Sequence, residues 1–241
     1  MIVPKKISPC HIMEAMVELR FEPLLPEAAI FGVVYNAVKD EYPEANALDI
    51  LNLPLEIRNH DPNLTYKPTH KLENGNNVLQ IGPRVITFSR VNEYNGWDAF
   101  SADIKTLTDK LIKLNIVKSL SGFSLRYINI FDFNIWDKLD LKVLLGESKF
   151  DTILTHVRAD IQDDNFIHLV QVANNVNINI GGKKQSKKGS IIDITTNLSG
   201  EMSSFTADAN AVLETAHAKE KQLYFGLLSD AFIKELNPEY E

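Results

Sequence analysis

Residues 79–133 constrain the fold more than any other part of the chain, because they encode a strand, a helix and another strand in direct succession. Residues 97–114 are predicted to be helical, since their apolar side chains recur at spacings of three and four and so share one face. These side chains are Trp97, Phe100, Ile104, Leu107, Leu111 and Leu114. Asn95-Gly96 supplies a turn before the helix, and Asp98 lies in its first turn, where the helix dipole favours negative charge.

The same order of elements is predicted twice along the chain. The first series consists of a strand over 12–21, a helix over 26–42, two to four strands between 48 and 91, and the 97–114 helix. The second consists of a strand from 123 to 131, strands near 150–162, 166–180 and 190–198, and a helical region over 206–236. Two matches at one offset of 106 residues (20 to 126) support an internal duplication: residues 19–21 resemble 125–127, and 85–88 resemble 191–194.

These patterns predict an α+β fold made of two similar strand-helix-strands-helix halves, 1–116 and 117–241, related by a pseudo-twofold axis. The antiparallel strands form two sheets or one continuous sheet, and the long helices pack on one face. A groove between the two halves is then the expected binding site.

Composition and charge narrow the functional classes. The chain has 25 basic and 32 acidic residues, and its net charge of −7 repels phosphate backbones, so nucleic acid is not an expected partner. Cys10 is the only cysteine, which fits a reducing compartment. No apolar run reaches membrane-spanning length, and the first ten residues lack the apolar segment of a secretory signal. We therefore expect a cytoplasmic protein with no membrane partner.

The sequence assigns no catalytic residue, no metal ligand set and no cofactor. Its six histidines form no i, i+4 pair on a helix and no Cys/His cluster. His217, beside Glu214 and Glu220, is either half of an acid–base pair or a solvated surface group. The lysine-rich loop 181–189 is followed by a predicted strand, so we interpret it as a solvated hairpin tip; a phosphate-binding loop needs a helix there.

Arg20 and Arg126 occupy equivalent positions in the proposed repeat, on the strand face opposite the main apolar residues. Together they are candidates for a paired anion site, because arginine offers a planar fork of donors to carboxylate or phosphate. The alternative is that each pairs with a neighbouring carboxylate such as Glu18, Glu22 or Asp132.

A second group of candidates contains Tyr94, Trp97, Tyr127 and Asn129. The aromatic side chains are able to form the walls of a ligand pocket, and the amide is able to read the ligand by hydrogen bonds. The alternative is that Trp97 and Tyr127 are ordinary core residues, with Trp97 anchoring the start of its helix.

Three motifs carry a resemblance to a known family: I-x-E-A-x-x-E-L-R-F over 12–21, Y-N-G-W over 94–97 and L-R-Y-I-N over 125–129. With these motifs the chain resembles a sporadically distributed family of prokaryotic proteins that has no established activity. The resemblance spans most of the chain and implies no functional residues. A patchy distribution is typical of accessory functions such as defence and toxin–antitoxin systems, so the resemblance implies a role of that kind.

We therefore predict a non-enzymatic binding or protein-interaction module. Its partner is either another protein or a second copy bound through the C-terminal helix, which has more apolar residues than one face needs. These residues are Leu223, Tyr224, Phe225, Leu227, Leu228 and Phe232. The alternative is a protein or enzyme that binds a small anionic molecule in the groove between the halves, with Arg20, Arg126 and Asn129 as its polar contacts.

Overall fold

The computed structural model describes residues 2–145, 148–149, 155–179, 186–198 and 203–240. Within these residues the chain forms eleven strands and five α-helices. The strands are β1 (Ile12–Pro23), β2 (Ala45–Ala47), β3 (His70–Asn74), β4 (Asn77–Ile81), β5 (Val85–Val91), β6 (Val117–Phe131), β7 (Leu144–Leu145), β8 (Ser148–Lys149), β9 (Thr155–Asp163), β10 (Phe166–Asn179) and β11 (Ser186–Leu198). The α-helices are α1 (Glu27–Val38), α2 (Leu55–His60), α3 (Trp97–Leu114), α4 (Ser203–Leu227) and α5 (Asp230–Glu235). Two short 3₁₀ helices cover Asp49–Asn52 and Trp136–Lys138.

Nine strands form one antiparallel sheet in the order β2-β3-β4-β5-β1-β6-β11-β10-β9, and β7 pairs with β8 in a separate two-stranded sheet. At the centre, β1 pairs with β6 from Ile12 opposite Asn129 to Pro23 opposite Val117. β5 flanks β1 on one side and β11 flanks β6 on the other. The α+β class predicted from the sequence is therefore confirmed.

The prediction of two similar strand-helix-strands-helix halves, each with long helices on one face, is wrong. The chain forms one nine-stranded sheet, and β1 is followed by helix α1, whereas the described chain has only a short 3₁₀ helix and the β7–β8 pair between β6 and β9. The boundary proposed at 116/117 falls at the link from α3 to β6, and β6 pairs with β1 along most of its length. No groove separates the two segments there, since their meeting point is a hydrogen-bonded strand pair. The internal duplication itself stays a prediction.

The helix predicted over 97–114 is confirmed, since α3 spans Trp97–Leu114. Gly96, with φ of 93°, precedes it, and Asn115 ends it in the left-handed conformation. The helical region predicted over 206–236 is divided into two helices, since α4 ends at Leu227 and α5 begins at Asp230. None of the helices in the described part of the chain is long and apolar enough to cross a membrane.

Two clusters of buried apolar side chains lie between the sheet and the helices. The first joins alternate residues of β1, β5 and β6 to α1, α3 and the middle of α4. The second joins β6, β10 and β11 to the end of α4 and to α5. In β1 the buried side chains are Ala15, Val17, Leu19 and Phe21. Because strand side chains alternate between faces, Glu14, Glu18 and Arg20 project from the opposite face of the sheet.

Glycine-to-alanine substitutions test the packing of β11 against β6. A Cβ atom on Gly189 would overlap the backbone oxygen of Phe131 and lie 2.7 Å from Cδ1 of Ile178. We expect Gly189→Ala to lower the free energy of unfolding by about 1–3 kcal/mol, because overpacking forces the backbone to move.

Gly32 in α1 is the matched control, because a Cβ atom there meets nothing within 4 Å. We expect Gly32→Ala to raise the free energy of unfolding by about 0.5–1 kcal/mol through its higher helix propensity. Urea denaturation of both variants measures the two changes. Equal stability of Gly189→Ala and the unmodified chain would contradict the close approach of β6 and β11.

Candidate functional site

Arg20 and Arg126 lie on the same face of the sheet, as the alternation predicted, but the structure does not bring them together. Arg20 is opposite Gly122 of β6, four residues from Arg126, which corresponds to about 13 Å along a strand. The Nε atom of Arg20 donates to Oε1 of Glu18 at 2.6 Å, and its guanidinium lies 5.2 Å from the centre of the Tyr66 ring. Arg20 therefore has a carboxylate partner on its own strand.

Arg126 is held by Asp193 of β11. Its Nε and Nη2 atoms donate to the two carboxylate oxygens at 2.8 Å and 2.6 Å, and Asp193 is buried. The hydrogen bond to Asp193 is the main reason why the pKa of Arg126 is raised above its ordinary value. Sequence reasoning missed Asp193 because the partner depends on the pairing of β6 with β11, which no local pattern reveals.

Tyr94, Trp97 and Asn129 lie on the other side, where the sheet is covered by helices. The hydroxyls of Tyr94 and Tyr127 are 3.5 Å apart, and Trp97 packs edge-on against Phe100. Tyr127 is buried in the first apolar cluster, and Trp97 packs against that cluster. Asn129 is buried two residues further along β6. The six candidate residues therefore lie on two sides of the sheet and do not form one site.

His217 of α4 joins this aromatic group. Its ring stacks on Trp97 with 3.8 Å between ring centres, and a 3.2 Å hydrogen bond links its Nδ1 atom to the Tyr127 hydroxyl. Burial lowers the pKa of His217 to about 4, so the ring is neutral near pH 7. Glu214 accepts a hydrogen bond from Nε1 of Trp97 at 2.7 Å. His217 is thus a packed, neutral side chain, and its contacts in the described structure are aromatic.

Glu220 lies one turn further along α4 and is buried. Burial raises the pKa of its carboxyl to about 8, with a smaller opposing effect of Lys221. Its charge contributes to the raised pKa values of the Tyr94, Tyr127 and Tyr224 hydroxyls, for which burial is the main cause. The whole group connects α3, α4 and β6 inside the protein, so it stabilises the packing of helices on the sheet and offers little surface to a ligand.

The apolar residues that suggested a partner for the C-terminal helix are covered by the chain itself. Tyr224, Phe225, Leu228 and Phe232 are buried in the second apolar cluster, and Leu223 and Leu227 pack against it. The helix uses its apolar surface to bind β10 and β11, which removes the reason for placing self-association there.

A cleft of about 270 Å³ lies near the start of α1, beside α2 and the turn between β4 and β5. Its lining comes from segments that are distant in the sequence: Glu27, Ile50, Leu55, Arg58, Leu64, Thr65, Lys67, Thr69, Pro83 and Arg84. Sequence reasoning missed this cleft because none of these segments carries a motif by itself.

Positive charge dominates the lining of this cleft. Arg84 donates to Glu22 at 2.6 Å and to Glu27 at 2.7 Å, so its charge is balanced within the chain. Arg58 donates to the backbone oxygen of Leu53 at 3.2 Å. Within the described residues, no carboxylate lies in salt-bridge distance of Arg58 or Lys67. The cleft therefore has two cationic groups available to an anionic partner.

Exposed aliphatic side chains lie close in sequence to lining residues of this cleft, and one of them, Leu55, is itself part of the lining. They come from the link between β1 and α1 and from the segment around α2, and they are between 37% and 59% exposed. These residues are Leu24, Leu25, Leu53, Leu55 and Ile57, here called the aliphatic rim. Large exposed apolar side chains grouped at one place are typical of an interaction surface.

The last two sequence expectations concern metal ligands and the lysine-rich loop 181–189. The part of the chain that the structure describes contains no group of three or more His, Cys, Asp or Glu residues placed to hold a metal ion. Residues 181–185, with Lys183 and Lys184, lie outside the described residues.

No protein-family model and no curated protein matches the chain. The resemblance based on the motifs at 12–21, 94–97 and 125–129 therefore stays a prediction.

The two arginines are expected to differ in their contribution to stability. Arg126→Leu leaves Asp193 buried without its main partner, so we expect it to lower the free energy of unfolding by about 1–3 kcal/mol. Arg20 and Glu18 form an exposed pair, so we expect Arg20→Leu to cost less than about 1 kcal/mol. Urea denaturation of the two variants provides the measurement. Equal losses would show that Arg126 has no special structural role.

Glu220 is expected to make stability fall as pH rises. Its carboxyl ionises near pH 4.5 in the unfolded chain and near pH 8 in the folded one. Between these two pH values the Glu220 carboxyl is protonated in the folded state and ionised in the unfolded state. The free energy of unfolding therefore decreases by at most about 1.4 kcal/mol per pH unit in this range and becomes constant above it. We expect Glu220→Gln to be more stable than the unmodified chain at pH 9, with a smaller difference at pH 5.

Denaturation at pH 5, 7 and 9 measures this difference, and Glu214→Gln on the exposed side of α4 is the control. A constant difference between Glu220→Gln and the unmodified chain at all three pH values would contradict the raised pKa.

Proposed function

We propose that this protein is an interaction module that binds a segment of a partner protein in the cleft beside α2. The observation that supports the proposal is a cleft with two available cationic groups, Arg58 and Lys67, in whose lining or close to it in sequence the exposed side chains of the aliphatic rim occur. The partner segment would be acidic and apolar: its aliphatic side chains cover the rim, and a carboxylate pairs with Arg58 and Lys67.

Burial of the rim supplies affinity in this proposal. Each aliphatic side chain that is more than a third exposed loses contact with water on binding, which is favourable by about 25 cal/mol per Å² of apolar surface. Central apolar anchors contribute most of the affinity of typical protein interfaces. Leu55 lines the cleft, and the other four rim side chains lie close in sequence to its lining residues.

Charge supplies specificity in the same proposal. The chain as a whole carries a net charge of −7 and repels acidic partners over most of its surface. Arg58 and Lys67 reverse the sign locally, so an acidic segment is attracted to the cleft and not to the rest of the molecule. The proposal includes no reaction.

A second function has one observation in its favour. The cleft volume of about 270 Å³ and its cationic lining also suit a small anionic molecule, for which arginine is a common contact. This alternative uses the cleft beside α2 in place of the groove expected between the halves. It makes Arg58 and Lys67 the binding residues in place of Arg20 and Arg126.

The accessory role follows from the resemblance and belongs to the proposal. A partner in a defence or toxin–antitoxin locus fits a module whose function is to bind another protein. Gene neighbours that are uniformly housekeeping in relatives would contradict this part of the proposal and leave the binding surface unaffected.

A displayed library of random peptides tests the proposed partner chemistry. We expect selection on the immobilised protein to enrich peptides that combine Asp or Glu with aliphatic residues. Fluorescence anisotropy with an enriched peptide then measures affinity. Leu55→Glu and Arg58→Glu should each weaken binding at least about tenfold, or about 1.4 kcal/mol.

Ile112→Glu is the matched control, because Ile112 is an exposed aliphatic residue on α3 that does not line the cleft. It should leave the affinity unchanged. Enrichment of basic peptides, or equal affinity of Leu55→Glu and Ile112→Glu, would refute the proposal. Native mass spectrometry separates the alternative: a small anion would be lost with Arg58→Ala and retained with Leu55→Ala, which adds no charge to the cleft.

A further inference from the structure

The strand β9 forms one edge of the nine-stranded sheet. Within the described residues it pairs only with β10, and it is nine residues long. Most of its residues from His156 to Gln162 are exposed. An edge strand of this length presents a row of backbone N–H and C=O groups that are available to another strand.

Side chains of β9 form two different rows. Val157, Ala159 and Ile161 are opposite Val172, Val170 and His168 of β10, which are all buried, so this row lies on the face covered by helices. The row continues the apolar side of the sheet to its edge, where Ile161 is still 38% exposed.

The other row of β9 is charged and lies on the uncovered face. Arg158 and Asp160 are adjacent within it, with 3.9 Å between Nε and Oδ1. Both side chains are more than 60% exposed. They therefore remain accessible to a partner that approaches the edge.

These two rows are symmetric about Ala159. Apolar residues lie two positions before and after it, and residues of opposite charge lie one position before and after it. If two copies of β9 pair antiparallel about a two-fold axis through Ala159, Arg158 lies opposite Asp160 of the second copy. Val157 then lies opposite Ile161 of the second copy, and each of these pairs occurs twice.

We propose that two copies of this chain associate through β9, in the register centred on Ala159, to form one sheet that continues through both molecules. Each copy covers the exposed apolar row of the other. Four charges alternate in sign on the open face, so each has an opposite charge both along its own strand and across the interface.

Neighbouring registers do not satisfy the charges. Residues that lie opposite each other in an antiparallel pair must point to the same face of the sheet, so the register of β9 against its copy can change only in steps of two residues. Each such step moves the residue that lies opposite itself by one position, from Ala159 to Arg158 or to Asp160. Centring on Arg158 places that arginine against itself, and centring on Asp160 does the same for the aspartate. Like charges directly opposite are destabilising, so the register at Ala159 is favoured over both neighbours.

The opposite edge of the sheet is formed by β2 and offers little backbone for pairing with another strand. β2 has only three residues, and short edge strands are a common protection against unwanted pairing. Charges that protect an edge usually repel a second copy. On β9 the charges attract a second copy in one register, which distinguishes a pairing edge from a protected one.

Charge reversal with rescue tests the proposal in the full-length chain. Sedimentation equilibrium should give twice the 27.2 kDa monomer mass for the unmodified protein. Arg158→Asp and Asp160→Arg each place like charges opposite one another, so we expect each to raise the dimer dissociation constant at least about tenfold. The double variant Arg158→Asp/Asp160→Arg restores opposite pairs in the same register and should return the constant to near its original value.

Glu44→Arg is the matched control, because it makes the same charge change as Asp160→Arg beside the opposite edge strand. It should leave the dimer unchanged. A monomer at all concentrations, single reversals without effect, or a double variant as weak as the single ones would each overturn the proposal.

Disulfide trapping tests the register independently. Facing Cα atoms of antiparallel strands are about 4.5–5.5 Å apart, within the range that a disulfide spans. In a Cys10→Ala background, Ala159→Cys should form a covalent dimer on oxidation, since residue 159 faces its own copy. His156→Cys faces residue 162 and should not. Equal cross-linking of the two variants would refute the register.

Discussion

The pairing of β1 with β6 is the interaction on which the rest of the structure depends. These strands are separated by about a hundred residues of sequence and meet at the centre of the sheet, with Val17 opposite Leu125 and Ala15 opposite Tyr127. β5, β4 and β3 extend the sheet from β1, while β11, β10 and β9 extend it from β6. The position of each edge, and of the surface near it, follows from this central pair.

One face of the sheet is covered by helices and the other carries the charged residues of β1 and β6. This division explains where the candidate binding residues lie. Alternation in β1 and β6 places Tyr127 and Asn129 under the helices and Arg126 on the open face. The aromatic candidates therefore pack with His217 in the interior, and the arginines pair with carboxylates of the sheet. A single ligand site made from both groups is geometrically excluded.

Local periodicity predicted the elements well, because each depends on residues that are close in the sequence. The six apolar positions of α3 identify its bounds without tertiary information. The pairing of Arg126 with Asp193 and the cleft beside α2 were not predictable in this way, since both join segments that only the fold brings together. The duplication was inferred from two matches, residues 19–21 with 125–127 and residues 85–88 with 191–194, and it stays a prediction.

The two proposed binding surfaces lie toward opposite ends of the sheet. The cleft is beside the turn between β4 and β5, and β9 is the far edge beyond β11 and β10. Association through β9 would leave both clefts open and place them in the outer parts of a continuous sheet. A dimer of this kind binds a partner with two copies of the acidic segment more tightly than one chain does, because the second contact is made at high effective concentration. The edge strand and the cleft then act together: pairing at Ala159 determines how far apart the two cationic clefts lie, and that distance selects the partner.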